Sequence, residues 1–233
     1  MSCLEQAKFR AAEKAVEHVK SGSVLGLGSG STASHAINII GDRLKTGKLQ
    51  NVIGVPTSLQ SMAEAIKAGI PLTTLDEQSK IDLAIDGADQ IDGELNAIKG
   101  GGGALLREKI VASASKEFII IADETKLTSS LGSGCHLPIE VLPFALKPVL
   151  RRIEALGAEV LIRTGNGKLG PTITDNGNLI VDADFGYMQY PETLEERLKN
   201  IPGVIETGLF LGYAHLAYIG TKDSVKKIEK SSI

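Results

Sequence analysis

The sequence has no tryptophan and only two cysteines, Cys3 and Cys135. Two cysteines cannot form a disulfide framework, and they are too few to build a thiolate metal site. The four histidines are scattered without the spacing of metal ligands. The sequence therefore predicts reduced thiols and no metal site.

Long hydrophobic runs are also absent. Residues 1–20 form a charged amphipathic pattern, without the apolar core of a signal peptide or a run long enough to cross a bilayer. No excess of basic charge is present, because 25 Lys and Arg are mixed with 28 Asp and Glu and the net charge is −3. A chain without a basic face does not favour nucleic acid as a partner. We therefore expect a cytoplasmic protein that binds neither membranes nor nucleic acid.

The first half of the sequence alternates between helical and strand patterns. With 233 residues, 42% of them hydrophobic, the chain can form one large domain or two small ones. Short continuous apolar strands separated by helices predict a parallel sheet covered on both faces. The predicted strands are SVLGLG, NVIGV, IDLAID and FIIIA. The predicted helices lie around residues 9–19, 33–44, 59–68 and 104–115.

The pattern changes near Leu131, where LGSGCHLP has the composition of a connection between two units. The strands and helices that follow have the order β-α-β-β-α-β, which is typical of a split βαβ, ferredoxin-like unit. We therefore expect a Rossmann-like α/β catalytic domain of residues 1–131 and 207–233, and a smaller α+β domain of residues 132–206. The C-terminal tail is predicted to add one strand and a short basic helix.

A glycine-rich turn, GLGSGSTASH, follows the first predicted strand. Free N–H groups at a helix N-terminus bind anions, and glycines let the ligand approach closely. The segment fits the loose dinucleotide pattern G-x-G-x-x-A, but the acidic residue expected after the next strand is missing. Three hydroxyls suit a single phosphate monoester better: those of Ser29, Ser31 and Thr32. The alternative is a helix turn that Ser31 or Thr32 caps and that binds no ligand.

A second unusual segment, IDGADQIDGELNAIKGGGGALLREK, begins at the end of the third predicted strand. Asp86 falls at the carboxyl end of that strand, where ligands bind in parallel sheets. Four consecutive glycines follow Lys99: Gly100, Gly101, Gly102 and Gly103. Their N–H groups can form a concave nest for a developing oxyanion. Glu108, in the next helix, can point its carboxylate toward the same space.

A carboxylate, a lysine and a row of N–H donors are suited to removing a proton next to a carbonyl group. The carboxylate takes the proton, and the lysine and N–H groups stabilise the resulting enediolate without a redox cofactor. A simpler interpretation treats Asp86 and Asp89 as turn residues, the glycines as a flexible surface loop and Glu108 as a solvated charge. Their presence in one strand–loop–helix unit favours the catalytic interpretation.

Seven segments together resemble the ribose-5-phosphate isomerase A family. They are GLGSGSTASH, AIDGADQID, IKGGGGALLREK, IADETK, LPIEVLPFA, TDNGN and IPGVIETGLF, in this order over nearly the whole chain. The resemblance implies interconversion of D-ribose 5-phosphate and D-ribulose 5-phosphate in the non-oxidative pentose phosphate pathway. It also implies that the protein needs neither a metal nor a cofactor and that it forms a homodimer or a tetramer.

The resemblance implies roles for individual residues as well. Glu108 is then the catalytic base, Lys99 stabilises the developing oxyanion, and Asp86 and Asp89 handle ring opening and the sugar hydroxyls. The implied substrate-binding residues are Ser29, Gly30, Ser31 and Thr32 at the phosphate, Gly87 and Ala88 between the two aspartates, the four loop glycines, Lys126 in IADETK, and Lys8 near the phosphate. Ser29 replaces the threonine usual in the family's turn and retains a hydroxyl.

Three other functions share parts of this pattern. A sugar-phosphate sensor of a transcription regulator would need a helix-turn-helix segment, and the sequence before Gly26 has neither the length nor the basic character for one. An amino-sugar phosphate deaminase or a CoA transferase of similar fold would release ammonia or consume acyl-CoA. An NAD-dependent dehydrogenase is disfavoured because the acidic residue is missing.

Overall fold

The computed structural model describes residues 2–165, 167 and 169–229. These residues form six α-helices: α1 Cys3–Val16, α2 Gly30–Lys45, α3 Leu59–Ala68, α4 Leu105–Ser113, α5 Leu146–Glu154 and α6 Pro191–Lys199. They also form thirteen strands: β1 Val24–Leu27, β2 Ile53–Pro56, β3 Ile81–Asp86, β4 Gln90–Ile91, β5 Ala97–Ile98, β6 Ser115–Asp123, β7 Leu137–Val141, β8 Glu159–Ile162, β9 Leu179–Asp184, β10 Val204–Thr207, β11 Leu209–Phe210, β12 Leu216–Gly220 and β13 Val225–Glu229. Short 3₁₀ helices cover Glu124–Lys126 and Pro143–Ala145.

The largest sheet has six strands in the order β13-β12-β6-β3-β1-β2. Its strands pair in parallel, except that β13 is antiparallel to β12 at one edge. The sheet is buried on both faces. Helices α1, α2 and α3 pack against one face, helix α4 packs against the other, and each face has its own hydrophobic core. This explains why strands such as IDLAID are continuously apolar apart from their aspartates. The predicted Rossmann-like α/β fold with a mostly parallel sheet is confirmed.

The order of the strands reverses at β1, since the chain passes from β1 to β2 on one side and then to β3 on the other. In open parallel sheets, ligands bind outside the carboxyl ends of the strands at such a switch point. The two strand ends meet closely here, because a Cβ atom added to Gly28 would lie 2.3 Å from Oδ1 of Asp86. A side chain at position 28 would therefore push the two loops apart.

The second sheet has four antiparallel strands in the order β10-β7-β9-β8. Helices α5 and α6 pack on it around a hydrophobic core to which Ile98 of β5 and Leu209 of β11 also contribute. The order along the chain is β7-α5-β8-β9-α6-β10, and β9 lies between β7 and β8. This is the split βαβ arrangement that the sequence predicts.

Two details of the predicted fold are wrong. The segment VIETGLF is divided between β10 and β11, and β11 joins a small sheet in the order β11-β5-β4. Strands of two residues are too short to produce a periodic pattern in the sequence. The predicted basic helix in the tail is instead the edge strand β13, whose backbone pairs with β12 and whose lysines face solvent. Residues 230–233 of that tail lie outside the described residues.

None of the described helices has the length and hydrophobicity needed to span a bilayer.

Candidate active site

A cleft of about 220 Å³ opens at the carboxyl ends of β1 and β3. The predicted site residues on its wall are Lys8, Ser29, Gly30, Ser31, Thr32, Gly87, Ala88, Asp89, Lys99, Gly100, Gly101, Gly102, Glu108 and Lys126. Asp86 is buried behind the wall and contacts Lys99. Gly103 faces a neighbouring cavity instead. The structure therefore gathers side chains from six separate segments of the chain around one space.

The N-terminus of α2 forms one wall of this cleft. Ser29 occupies the N-cap position with an extended backbone, but its side chain does not cap the helix. Its hydroxyl instead forms hydrogen bonds with Thr57 Oγ1 at 2.8 Å and Ser58 Oγ at 2.6 Å. Neither Ser31 nor Thr32 is the N-cap residue, so that part of the alternative interpretation is wrong.

The first N–H groups of α2 are available to a ligand. Gly30 N donates to Gln60 Oε1 at 3.1 Å, whereas the N–H groups of Ser31 and Thr32 have no acceptor among the described residues. Lys8 Nζ lies 3.0 Å from Ser31 Oγ. Free N–H groups, a positive helix end and a nearby ammonium group together complement a phosphate.

A buried ionic cluster forms another part of the cleft. Lys99 Nζ lies 3.2 Å from Oδ2 of Asp86 and 3.2 Å from Oε2 of Glu108, and it donates to the Gly87 carbonyl oxygen at 2.6 Å. The backbone holds Lys99 in place, because its N–H donates to the Gly208 carbonyl oxygen at 2.9 Å. The short β5 strand and the segment before β11 thus aim this lysine at both carboxylates.

Burial shifts the acid–base properties of this cluster. It raises the pKa of Glu108 to about 8, and the neighbouring Asp86 carboxyl adds to the increase. Burial also raises the pKa of Asp86, although Lys99 opposes that change. Burial acts to lower the pKa of Lys99, but its two carboxylate neighbours raise it well above the usual value. A carboxyl group with a pKa near neutrality can both accept and return a proton at physiological pH.

Asp86 connects the loop that follows β1 to the loop that follows β3. Its Oδ1 accepts hydrogen bonds from the N–H groups of Ser29 at 3.0 Å and Gly87 at 2.7 Å. Its other oxygen faces Lys99. This carboxylate therefore orients the lysine and ties the turn before α2 to the loop after β3.

The predicted continuous row of glycine N–H donors is only partly correct. Gly101 N donates to Asp89 Oδ2 at 2.6 Å, and Gly103 N donates to the Gly100 carbonyl oxygen at 2.9 Å. A tight turn has to satisfy its own backbone groups, and these two donors are used in that way. Within the described part of the chain, no group accepts the N–H of Gly102, which lines the cleft. Gly100 has a φ of 105°, a conformation that favours glycine.

Three residues on the cleft wall were not predicted. Leu4 lies one helical turn before Lys8 on α1, so the two share a face of that helix. Asp123 and Thr125 belong to the IADETK segment, and Asp123 accepts a hydrogen bond from the Thr125 N–H at 3.0 Å. The spacing of Leu4 from Lys8 is the sequence signal for Leu4. The position of Asp123 at the end of a strand is the signal for Asp123 and for Thr125, which follows it closely.

Comparison with known proteins assigns the family. A family model described as "Ribose 5-phosphate isomerase A (phosphoriboisomerase A)" matches residues 53–224. A ribose-5-phosphate isomerase A from Trichodesmium erythraeum is 47% identical over 224 residues, covering 96% of this chain and 94% of the relative. This chain belongs to the ribose-5-phosphate isomerase A family.

Solved structures of ribose-5-phosphate isomerases agree with this family assignment. One D-ribose-5-phosphate isomerase, in complex with phospho-erythronic acid, matches with a TM-score of 0.95 and 42% identity, over 97% of this chain and 99% of the other. Ribose 5-phosphate isomerase A from Methanocaldococcus jannaschii matches with a TM-score of 0.93 and 43% identity, also over 97% and 99%. The resemblance predicted from the sequence is confirmed.

Among the described residues, no group of three or more His, Cys, Asp or Glu side chains is arranged to hold a metal ion.

Proposed function

We propose that Glu108 and Lys99 carry out, in this chain, the reaction for which its family is named. The chain is an aldose–ketose isomerase, which interconverts D-ribose 5-phosphate and D-ribulose 5-phosphate through an enediolate in the non-oxidative pentose phosphate pathway. One observation carries the assignment of residues: Lys99 Nζ lies 3.2 Å from a Glu108 oxygen in a cleft that also contains a free helix N-terminus.

The phosphate of the substrate binds at the N-terminus of α2. The N–H groups of Ser31 and Thr32, their hydroxyls and the ammonium group of Lys8 can all donate to its oxygens. Lys126, on the wall of the same cleft, adds a second positive charge. The binding energy of this unreacting group holds C1 and C2 of the sugar against Glu108.

Glu108 transfers the proton in the open-chain sugar. Its carboxylate removes the proton from C2, and the electron pair moves toward the C1 oxygen to form an enediolate. Lys99 and the Gly102 N–H stabilise that oxygen. Glu108 returns the proton to C1, while the C2 hydroxyl proton passes to the C1 oxygen. Its raised pKa supports both steps, because a proton held near neutrality is given back easily.

Asp89 assists ring opening and binds sugar hydroxyls. It is half-buried on the wall of the cleft, and Gly87 and Ala88 beside it form the surface against which the sugar packs. Asp86 takes part through Lys99, since it lies behind the wall and contacts that lysine. The resemblance gives Asp86 and Asp89 one shared role, whereas in this proposal Asp89 contacts the sugar and Asp86 acts by holding Lys99.

The remaining properties of the protein also belong to this proposal. Residues 1–131 with 207–233 form the catalytic domain, and residues 132–206 form a smaller domain near the interface of a cytoplasmic homodimer. Most of the buried hydrophobic residues under the second sheet lie within residues 132–206, which supports this division, and Ile98, Leu131 and Leu209 of the catalytic domain pack against them. The exposed side chain of Phe144 in the smaller domain supports an interface there. Proton transfer by a carboxylate needs no metal or cofactor, and nucleic acid is not a partner.

The experiment is incubation of the purified protein with ribose 5-phosphate in deuterium oxide. We expect ketose formation and deuterium at C2 of the recovered aldose, with both signals lost in Glu108→Gln. Chelator treatment is expected to leave the rate unchanged. Absence of ketose from the wild-type protein, release of ammonia or consumption of acyl-CoA would contradict the proposed function.

A further inference from the structure

We propose that Arg163 is a positioning residue for the loop of residues 100–103, called here the glycine loop. This role rests on the proposed function, in which the Gly102 N–H of that loop stabilises the enediolate. Arg163 follows β8 in the second sheet, about 60 residues after the loop in the sequence. Its Nη1 donates to the carbonyl oxygens of Gly100 at 2.7 Å and Gly101 at 2.9 Å. One guanidinium group therefore connects the second sheet to the glycine loop through two hydrogen bonds.

The guanidinium group is itself held firmly. Its Nε donates to Asp182 Oδ2 at 2.8 Å, and its Nη2 pairs with Asp182 Oδ1. Asp182 belongs to β9, the strand that pairs with β8. A bidentate carboxylate fixes the plane of an arginine fork, which a single point contact does not do. The guanidinium group of Arg163 is therefore held rigidly at the position from which it donates to the loop.

Fixing the two carbonyl groups fixes two N–H groups on the opposite side. In a trans peptide, the C=O and the following N–H point in opposite directions. The Gly100 carbonyl points to Arg163, and the Gly101 N–H on the other side of that peptide donates to Asp89 Oδ2 at 2.6 Å. The Gly101 carbonyl also points to Arg163, so the Gly102 N–H is directed away from it.

The Gly102 N–H depends on this contact for its direction. Glycine has no side chain to restrict its backbone, so the conformation of the loop is set by its hydrogen bonds. Among the described residues, Arg163 is the only donor to the Gly101 carbonyl. Its positive charge also polarises the two peptide groups, which strengthens their N–H groups as donors. Arg163 thus controls both the direction and the strength of a donor to the enediolate.

This role predicts a specific kinetic effect. Arg163 does not line the cleft, so its loss leaves the phosphate contacts intact. The donor that it orients acts on the oxygen where charge develops. Misplacement of such a group by about 1 Å costs on the order of 10²-fold. We therefore expect Arg163→Met to lower kcat by roughly 10- to 100-fold, with little change in KM for ribose 5-phosphate.

The test compares Arg163→Met with Arg152→Met, which removes an exposed arginine from α5 in the same part of the chain. The measurements are kcat, KM, the inhibition constant of inorganic phosphate and the thermal midpoint. We expect the loss of kcat in the first variant alone, with the phosphate inhibition constant within about twofold of the wild-type value. Arg163→Lys, which retains the charge but not the fork, is expected to lose less.

Three results would overturn the role of Arg163: a kcat of Arg163→Met within twofold of wild type, an equal loss in Arg152→Met, or a weaker phosphate inhibition constant that accounts for the whole change. If Arg163→Met does not fold, Arg163→Lys and Asp182→Asn take its place, and an unchanged kcat in both contradicts the role. A wild-type protein that forms no ketose refutes the proposed function. An active wild type with an inactive Glu108→Gln and a fully active Arg163→Met refutes only the role of Arg163.

Discussion

The Nζ atom of Lys99 lies 3.2 Å from Oε2 of Glu108, and both side chains are almost wholly buried. The same ammonium group is equally close to Asp86, so one lysine faces two carboxylates. Asp86 also accepts two backbone N–H groups, which favour its ionised form, whereas among the described residues no backbone N–H donates to Oε2 of Glu108, which faces Lys99. This difference supports the proposal that Glu108, rather than Asp86, is the carboxyl group that exchanges its proton.

Removal of this carboxyl group tests the assignment of the base. We expect Glu108→Gln to lower kcat by roughly 10²- to 10⁴-fold, the usual contribution of a positioned general base, with KM nearly unchanged. Steady-state assays of ketose formation measure both constants. Glu154→Gln, at an exposed position on α5, is the matched control. A near-normal kcat would remove Glu108 from this role.

The pH dependence of the reaction follows from the same group. A base has to be ionised to accept a proton, and burial raises the pKa of Glu108 to about 8. We therefore expect kcat/KM to rise with pH and to level above about 8. The second ionisation of the substrate phosphate, near about 6, is separate from this limb. A profile that levels below pH 6 would contradict the raised pKa.

The contribution of Glu108 to the free energy of unfolding should fall as pH rises, whereas kcat/KM should increase. Folded Glu108 keeps its proton up to about pH 8, whereas the unfolded chain releases it near 4.5. The folded state binds more protons between these values, so this group lowers the free energy of unfolding as pH rises through that window. Urea denaturation of the wild type and Glu108→Gln is the measurement. The free energy of unfolding of Glu108→Gln, compared with that of the wild type, should increase as pH rises to about 8. A difference between the two proteins that does not change with pH would refute this linkage.

Loss of the lysine should affect both activity and stability. We expect Lys99→Met to lower kcat by roughly 10²- to 10³-fold, as for other oxyanion donors. The variant also leaves Asp86 and Glu108 without their cation, so its thermal midpoint should fall. Kinetics and calorimetry measure the two effects. A change confined to KM would make Lys99 a binding residue only.

The phosphate turn can be tested through the substrate. We expect Ser31→Ala and Thr32→Val each to raise KM for ribose 5-phosphate by roughly 10-fold, because each removes a hydrogen bond to a charged group. Turnover at saturation should change little, since the phosphate does not react. D-Ribose without its phosphate is the control substrate, and its slow turnover should be unaffected. An equal effect on both substrates would argue against phosphate binding at this turn.

Several elements were predictable because their signals are local. Helix α3 covers Leu59–Ala68 as predicted, since Ser58 caps its start and Gly69 ends it with a φ of 81°. The apolar strands of the parallel sheet and the glycine turn after β1 are also properties of short segments. The proximity of Ser29 to Asp86 was predictable because Ser29 follows β1 and Asp86 ends β3, and the carboxyl ends of parallel strands meet at one edge of the sheet.

The tertiary structure decided what those residues contact. Asp86 lies behind the cleft rather than on its wall, and Gly101 and Gly103 use their N–H groups within the protein. The contact of Arg163 with the glycine loop joins groups about 60 residues apart. The sequence by itself determined the elements and the candidate residues, because propensity and periodicity act over a few neighbouring residues. Only the folded chain decided burial and hydrogen-bond partners, because both depend on atoms brought together from distant segments.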